Sequence, residues 1–226
     1  MLRELWGDWP QCKQRLARSH RRSIVTFLDD RPGDFKGAWA RVNQDLRSLY
    51  LAAFQSHLWN ELLAAWIRER VPPGDLVDVP LKLGPAHFVR ALDAARAADL
   101  QRESLPLPSA RIRLHDLNDA SLRELLQPTL ARRGLELRMI RVKYPRDTFF
   151  SKGWRPPVIP VEGLAWSHEP DELHPGRFAL RLKFDLRRGS YATILIKRIT
   201  DAAGLSSDEV AEQLPQEDAE PDDNSG

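Results

Sequence analysis

The longest helical pattern in the chain, residues 34–69, sets the scale of any core this protein can build. Leu51, Phe54, Leu58, Leu62 and Ala65 recur at helical spacing along its second half and form one apolar stripe. Asp34 stands where an N-cap would accept a hydrogen bond from the first turn. The length of the pattern predicts a kink or break near Asp45. Val71-Pro72-Pro73-Gly74 stops it, because proline can neither donate to the helix nor avoid the preceding turn.

Shorter elements flank this helix. Residues 1–30 read as helical, with Leu16, Ile24, Phe27 and Leu28 set among many arginines, and Pro32-Gly33 breaks them off. Residues 75–84 read as a strand or hairpin arm. "HFVRALDAARAADLQRE" (87–103) reads as an amphipathic helix. "SLPLPSA" is extended, since each proline drives its predecessor out of the helical region. Asn118 or Asp119 caps a helix through Leu130 that ends near Gly134. "LELRMIRVKY" alternates apolar and basic residues and predicts a strand. A long loop with four prolines follows, then a short strand at "GLAWSHEP". "GRFALRLKFDL" alternates Phe178, Leu180, Leu182, Phe184 and Leu186 against charged residues and predicts a half-buried antiparallel strand. A helix from Ser190 to about Ala203 closes the pattern. The expected class is α+β, with no internal repeat.

Charge is distributed unevenly. All 34 Lys and Arg lie at or before Arg198, whereas nine of the 32 acidic residues lie after it. The first 200 residues therefore carry 34 basic against 23 acidic side chains, a net +11. A basic body with an acidic tail suits a polyanion ligand, and a solvated arginine-rich surface gives the same count. From Ser206 onward the composition predicts disorder. A single cysteine, Cys12, allows no internal disulfide, and a cytoplasmic setting is expected. No apolar run is long enough to span a bilayer, so no membrane partner is expected. The histidines are scattered and Cys12 has no ligand-spaced partner, so no metal and no cofactor is expected. Neither a phosphate-cradling glycine loop nor a nucleophile elbow occurs.

Cations and rings interleave in the proline-rich loop: Lys143-Tyr144, Arg146, Phe149-Phe150, Lys152 and Trp154-Arg155. Such a pattern suits single-stranded or distorted RNA, whose bases stack on rings while its phosphates meet cations. Lys152 and Arg155, flanking Gly153, read as RNA contacts; Phe149 and Phe150 read as core plugs.

Three stretches together resemble the TruD family of tRNA pseudouridine synthases. "SLYLAAFQSHLWNELLAAWI" (48–67) resembles the family's Gln-Ser-x-Leu-Phe-Asn helix. "SKGWRPPVIPVEGLAW" resembles its glycine and Arg-Pro loop with the strand that follows. "FDLRRGSYATILIKRI" resembles its closing Gly-Ser-Tyr/Phe-Ala-Thr motif, and "LPLP" matches a weaker linker. The resemblance spans roughly residues 40–200. It implies an isomerase that converts uridine to pseudouridine in the D arm of tRNA without cofactor. It also implies a catalytic domain with a mixed sheet, interrupted by a smaller α/β insertion domain. By that pattern residues 1–70 and 176–203 belong to the catalytic domain, 71–175 to the insertion, and 204–226 to the acidic tail.

The same resemblance places the closing motif at the floor of the uridine pocket. Gly189 and Ser190 would let backbone approach the nucleotide. Tyr191 would either wall the pocket or fill the core. Ser56 and Asn60, four apart on an apolar helix, would bridge to neighbouring backbone. The residues so assigned to RNA are Lys152, Arg155, Arg187, Arg188, Gly189, Ser190, Tyr191 and Thr193. No residue is assigned as catalytic. The family's nucleophilic aspartate lies in a Gly-x-Lys-Asp-x-x-Ala-x-Thr stretch, and Asn-x-Phe-Gly-x-x-Arg-Phe-Gly shapes its pocket; neither occurs here. The sequence thus looks like the C-terminal portion of such an enzyme. Its expected partners are tRNA and a separate N-terminal fragment bearing the aspartate; the alternative is a non-catalytic RNA-binding module.

Overall fold

The computed structural model describes residues 4–202, apart from 82, 91 and 118. The expected disorder after Ser206 lies outside the described residues. In chain order the elements are α1 (Trp9–Arg15), α2 (His20–Asp30), α3 (Phe35–Arg41), α4 (Gln44–Arg70), β1 (Leu76–Val79), β2 (Ala86–Val89), α5 (Ala94–Arg102), β3 (Leu105–Pro106), α6 (Ala120–Ala131), β4 (Trp154–Arg155), β5 (Glu162–Pro170), β6 (Phe178–Asp185) and α7 (Ala192–Ala202). Helices and small antiparallel sheets make the class α+β. The described residues divide into two compact units, 4–65 with 105–155 and 66–104 with 156–202.

In the first unit, side-chain caps decide where the helices start. Asp8 accepts from the Gln11 amide at 3.1 Å, Ser19 from the Arg22 amide at 3.3 Å, and Asp34 from the Gly37 amide at 2.8 Å. The Ser19 cap divides the helix expected over 1–30 into α1 and α2. Trp9, Cys12, Val25, Phe27, Leu28 and Ala38 close a small core among the first three helices. The expected break before α4 falls at Val42–Asn43. Arg47, only 5% exposed, donates to the carbonyls of Ala40 and Val42 that the break leaves without helical partners. It also reaches Thr148 and Asp147, so a buried cation is fully paired.

A second core joins Leu51, Leu58 and Leu62 of α4 to Leu117, Leu126, Leu130, Ile140 and Phe150. Phe54, at the margin of the stripe, is half open to solvent and tilts against Phe150 at 6.3 Å. Asp119 caps α6, accepting from the Ser121 amide, and Gly134 supplies the positive φ (64°) that turns the chain after it. The strand expected over "LELRMIRVKY" does not form. Residues 137–139 coil into a 3-10 turn, with Met139 N bonding Glu136 O at 2.9 Å. Only Ile140 is deeply buried there, and it accepts from Ala110 N at 3.0 Å. Alternation without a neighbouring strand cannot satisfy a ladder, so local turn bonds prevail.

In the second unit, β1 and β2 pair antiparallel, Val77 opposite Phe88 and Asp78 opposite His87. The helix expected over 87–103 therefore begins only at Ala94. Asp93 accepts from the Arg96 amide at 2.8 Å and starts it, while His87, Phe88 and Val89 take the strand that their shapes favour. β5 and β6 form a two-stranded antiparallel hairpin, Trp166 opposite Leu182, His168 opposite Leu180 and Pro170 opposite Phe178. At its tip the Asp171 carboxylate accepts from the amides of Leu173 and His174, which holds it below the usual carboxylate range. The expected half-burial holds for Leu182, Phe184 and Leu186; Phe178 and Leu180 stay exposed.

Candidate nucleic-acid interface

One side chain on α4 ties together three segments far apart in sequence. Gln55 occupies the core face of the helix, in step with Leu51, Leu58 and Leu62, and is 3% exposed. Its amide donates to Pro108 O at 3.1 Å and Ser151 O at 2.8 Å, and its carbonyl accepts from Ser151 N at 3.2 Å. A buried amide with donors and acceptor all used is a clamp rather than a liability. Nearby, Trp59 donates from its indole to Leu105 O at 3.3 Å, and Leu107 N donates to Gly153 O at 2.9 Å. β3 and β4 pair Leu105 with Arg155 and Pro106 with Trp154. The prolines thus sit in an extended segment whose Leu107 amide is given to the loop.

The clamp presents the basic loop to solvent. Lys152, Trp154 and Arg155 are exposed, with Gly153 between them packed beside Leu107. Arg155 donates to Ser56 Oγ at 3.3 Å, so Ser56 meets a side chain rather than the expected backbone, and Asn60 is exposed on the surface. Gln55 performs the bridging that had been assigned to those two residues. A glutamine at a core position of an apolar stripe was the signal for it. Phe150, 8% exposed, plugs the core as expected, but Phe149 does not. It is 57% exposed, with the Arg111 guanidinium 4.9 Å over its ring. Tyr144 is similarly open, under the Lys36 ammonium at 4.9 Å.

The closing motif belongs to the second unit. Gly189 has φ 91°, a left-handed turn that Ser190 N seals by bonding Arg187 O at 3.0 Å. A Cβ at Gly189 would meet nothing within 4 Å, so the turn, and not crowding by the described residues, calls for glycine. Tyr191 is 71% exposed. That rules out a core ring, because nothing in its surroundings would collapse if it were truncated. Thr193 is exposed in the first turn of α7. Arg187 reaches Glu162 at 3.4 Å, whereas Arg188 has no ion-pair partner among the described residues.

Further along α4, His57, Glu61 and Arg133 of the first unit converge. Both Glu61 oxygens accept from Arg133 Nε, at 3.0 and 2.9 Å, and Arg133 also contacts His57 Nε2. The Arg133 hydrogen bond, against some desolvation, holds the Glu61 carboxyl below its ordinary value. The paired groups brace α4 against the segment after α6 and leave no free nucleophile there. Among the described residues no three His, Cys, Asp or Glu side chains gather as metal ligands, and no helix is long and apolar enough to cross a membrane.

A family model described as tRNA pseudouridine synthase D (TruD) matches residues 2–199. A probable tRNA pseudouridine synthase D 2 of Methanocaldococcus jannaschii is 27% identical over 197 residues, covering 85% of this chain and 46% of the relative. A probable tRNA pseudouridine synthase D 1 of Methanococcus maripaludis is 26% identical, covering 86% and 50%. A tRNA pseudouridine synthase D of Geobacter metallireducens is 30% identical over 194 residues, covering 82% and 45%. The chain spans about half the length of the curated relatives it matches.

Proposed function

The chain belongs to the TruD family, and we propose that it supplies the C-terminal, RNA-gripping portion of a tRNA pseudouridine synthase. In this reading the protein isomerises uridine to pseudouridine in the D arm of tRNA. The aspartate nucleophile comes from an N-terminal fragment of the family's type. Residues 1–70 and 176–203 would complete that catalytic domain and 71–175 its insertion. One observation carries the reading. The Gln-Ser helix, the "LPLP" linker and the glycine-arginine loop, three separate parts of the resemblance, are hydrogen-bonded to one another through Gln55, Trp59 and Leu107. That assembly holds Lys152 and Arg155 open to a phosphate backbone. In the other unit Arg187, Arg188, Gly189, Ser190, Tyr191 and Thr193 would line the nucleotide pocket, with the exposed Tyr191 ring available to stack.

A second reading keeps only the RNA grip, a module that binds RNA without chemistry, and the exposed Lys152, Arg155 and Tyr191 support it equally. Covalent attack needs a carboxylate that general electrostatics cannot replace. Purified chain, a tRNA transcript and a TruD N-terminal fragment separate the two. We expect no pseudouridine from the chain alone, and conversion in the D arm once the fragment is added. Turnover by the chain alone would sink the divided-enzyme reading. tRNA binding without conversion in the mixture would leave the non-catalytic module.

A further inference from the structure

We propose that the concavity between α2 and α3 is a second RNA-backbone site, a phosphate cradle built from Arg18, Arg22 and Arg41. It encloses about 420 Å3 and is lined also by Ser19, Ser23, Thr26, Phe27 and Asp30. Ser19, Arg22, Ser23, Thr26 and Asp30 follow one another at helical spacing, so α2 offers a single polar face to it. Three guanidiniums face one carboxylate, that of Asp30.

What holds the arginines matters more than their number. Arg22 is anchored by Nη1 donating to the Leu16 carbonyl at 3.2 Å. Arg41 lies with its Cζ 4.3 Å over the Phe27 ring, and that ring is itself buried in the core of the three helices. Both anchors are neutral, so they orient the guanidiniums without cancelling their charge. Among the described residues Arg18, Arg22 and Arg41 form no ion pair. Elsewhere in this unit basic side chains are spent on carboxylates, as in Lys13 with Asp29 and Arg133 with Glu61. Arg22 and Arg41, pre-positioned and outside any ion pair among the described residues, beside the hydroxyls of Ser19, Ser23 and Thr26 supply the chemistry of a bidentate phosphate contact.

A polymer fits better than a free ion. The segment 13–22 carries Lys13, Arg15, Arg18, Arg21 and Arg22 and no acid, so positive charge continues past the cavity. In the same helical unit Trp6, 67% exposed, stacks on Phe35, 48% exposed, with centroids 5.8 Å apart and planes 9° apart. That platform would take an unpaired base. The cradle rests on the tRNA reading only for which RNA occupies it.

The test uses the full chain, a tRNA transcript and an RNA hairpin of unrelated sequence. Arg18→Glu with Ser23→Glu, both exposed positions, should weaken binding of both RNAs about tenfold and lower the salt slope by about one to two units. Arg102→Glu, a charge reversal on α5, should change neither. Arg41→Lys keeps the charge but loses the fork; it should weaken binding severalfold with the slope unchanged, which keeps the test open should the double variant misfold. Slopes unmoved by the double variant, or moved equally by Arg102→Glu, would overturn the cradle. Equal affinity for tRNA and hairpin, with both still dependent on Arg18 and Ser23, would support the cradle while removing the tRNA reading. Binding of neither RNA would overturn both.

Discussion

Gln55 shows how much one polar residue in an apolar stripe can organise. Gln55→Leu would fill the same space but leave two carbonyls and one amide without partners. We expect a loss of about 2–3 kcal/mol in urea denaturation, since each stranded buried group costs about 1–3 kcal/mol. Faster hydrogen exchange at the Ser151 amide should accompany it; an unchanged midpoint would mean water replaces the clamp. Glu61 gives a pH-dependent counterpart. Its carboxyl titrates below the ordinary 4.5 in the folded protein, chiefly through the Arg133 hydrogen bond and then the Arg133 and His57 charges. A depressed folded value means the stabilisation is complete above the unfolded value and disappears as pH falls through the folded one. Glu61→Gln should therefore cost about 0.5–1 kcal/mol at pH 7, the range for a partly exposed ion pair. Denaturation midpoints of variant and parent should converge as pH falls below the ordinary carboxylate range. A constant gap across that series would assign the effect to packing instead.

At the scale of elements, the β5–β6 hairpin is thinly covered, with every residue of β5 exposed. Cross-strand register puts Trp166, His168, Phe178, Leu180 and Leu182 on one face. Trp166 is 66% exposed, Phe178 70% and Leu180 52%. Among the described residues the hairpin pairs with no third strand, so it offers both an open edge and an apolar face. Trp166→Lys with Leu180→Lys should reduce self-association in sedimentation velocity while changing stability by no more than about 0.5 kcal/mol, as exposed substitutions do. Unchanged association would show that another surface is responsible. In the divided-enzyme reading this face is where strands of the N-terminal fragment dock, so the same pair of substitutions should also weaken complementation.

Over the whole molecule the segregation of charge dominates. Removing residues 206–226 deletes acidic groups and no basic ones, and raises the net positive charge. tRNA affinity at low salt should rise severalfold on truncation. The gain should shrink near physiological ionic strength, where screening acts over about 8 Å. Equal affinity of full-length and truncated chains in filter binding would mean that the tail neither shields nor competes.

The sequence by itself fixed what local chemistry decides. Asp34 and Asp119 cap the helices assigned to them, Pro72-Pro73 ends α4, and the alternation over 178–185 forms a strand, because capping bonds, a missing amide and side-chain period act over a few residues. The stretches around Gly153 and Gly189 stand out by local residue pattern, which is why the proposed RNA contacts are drawn there. Only tertiary structure decided which strand-like segments found partners. "LELRMIRVKY" had none and coiled, whereas His87–Val89 met β1 and left its helix. Only tertiary structure brought Gln55 to Ser151, held Arg22 and Arg41 on neutral anchors, and set Tyr191 and Phe149 in solvent. Burial and pairing depend on what arrives from distant parts of the chain, and local pattern does not encode that.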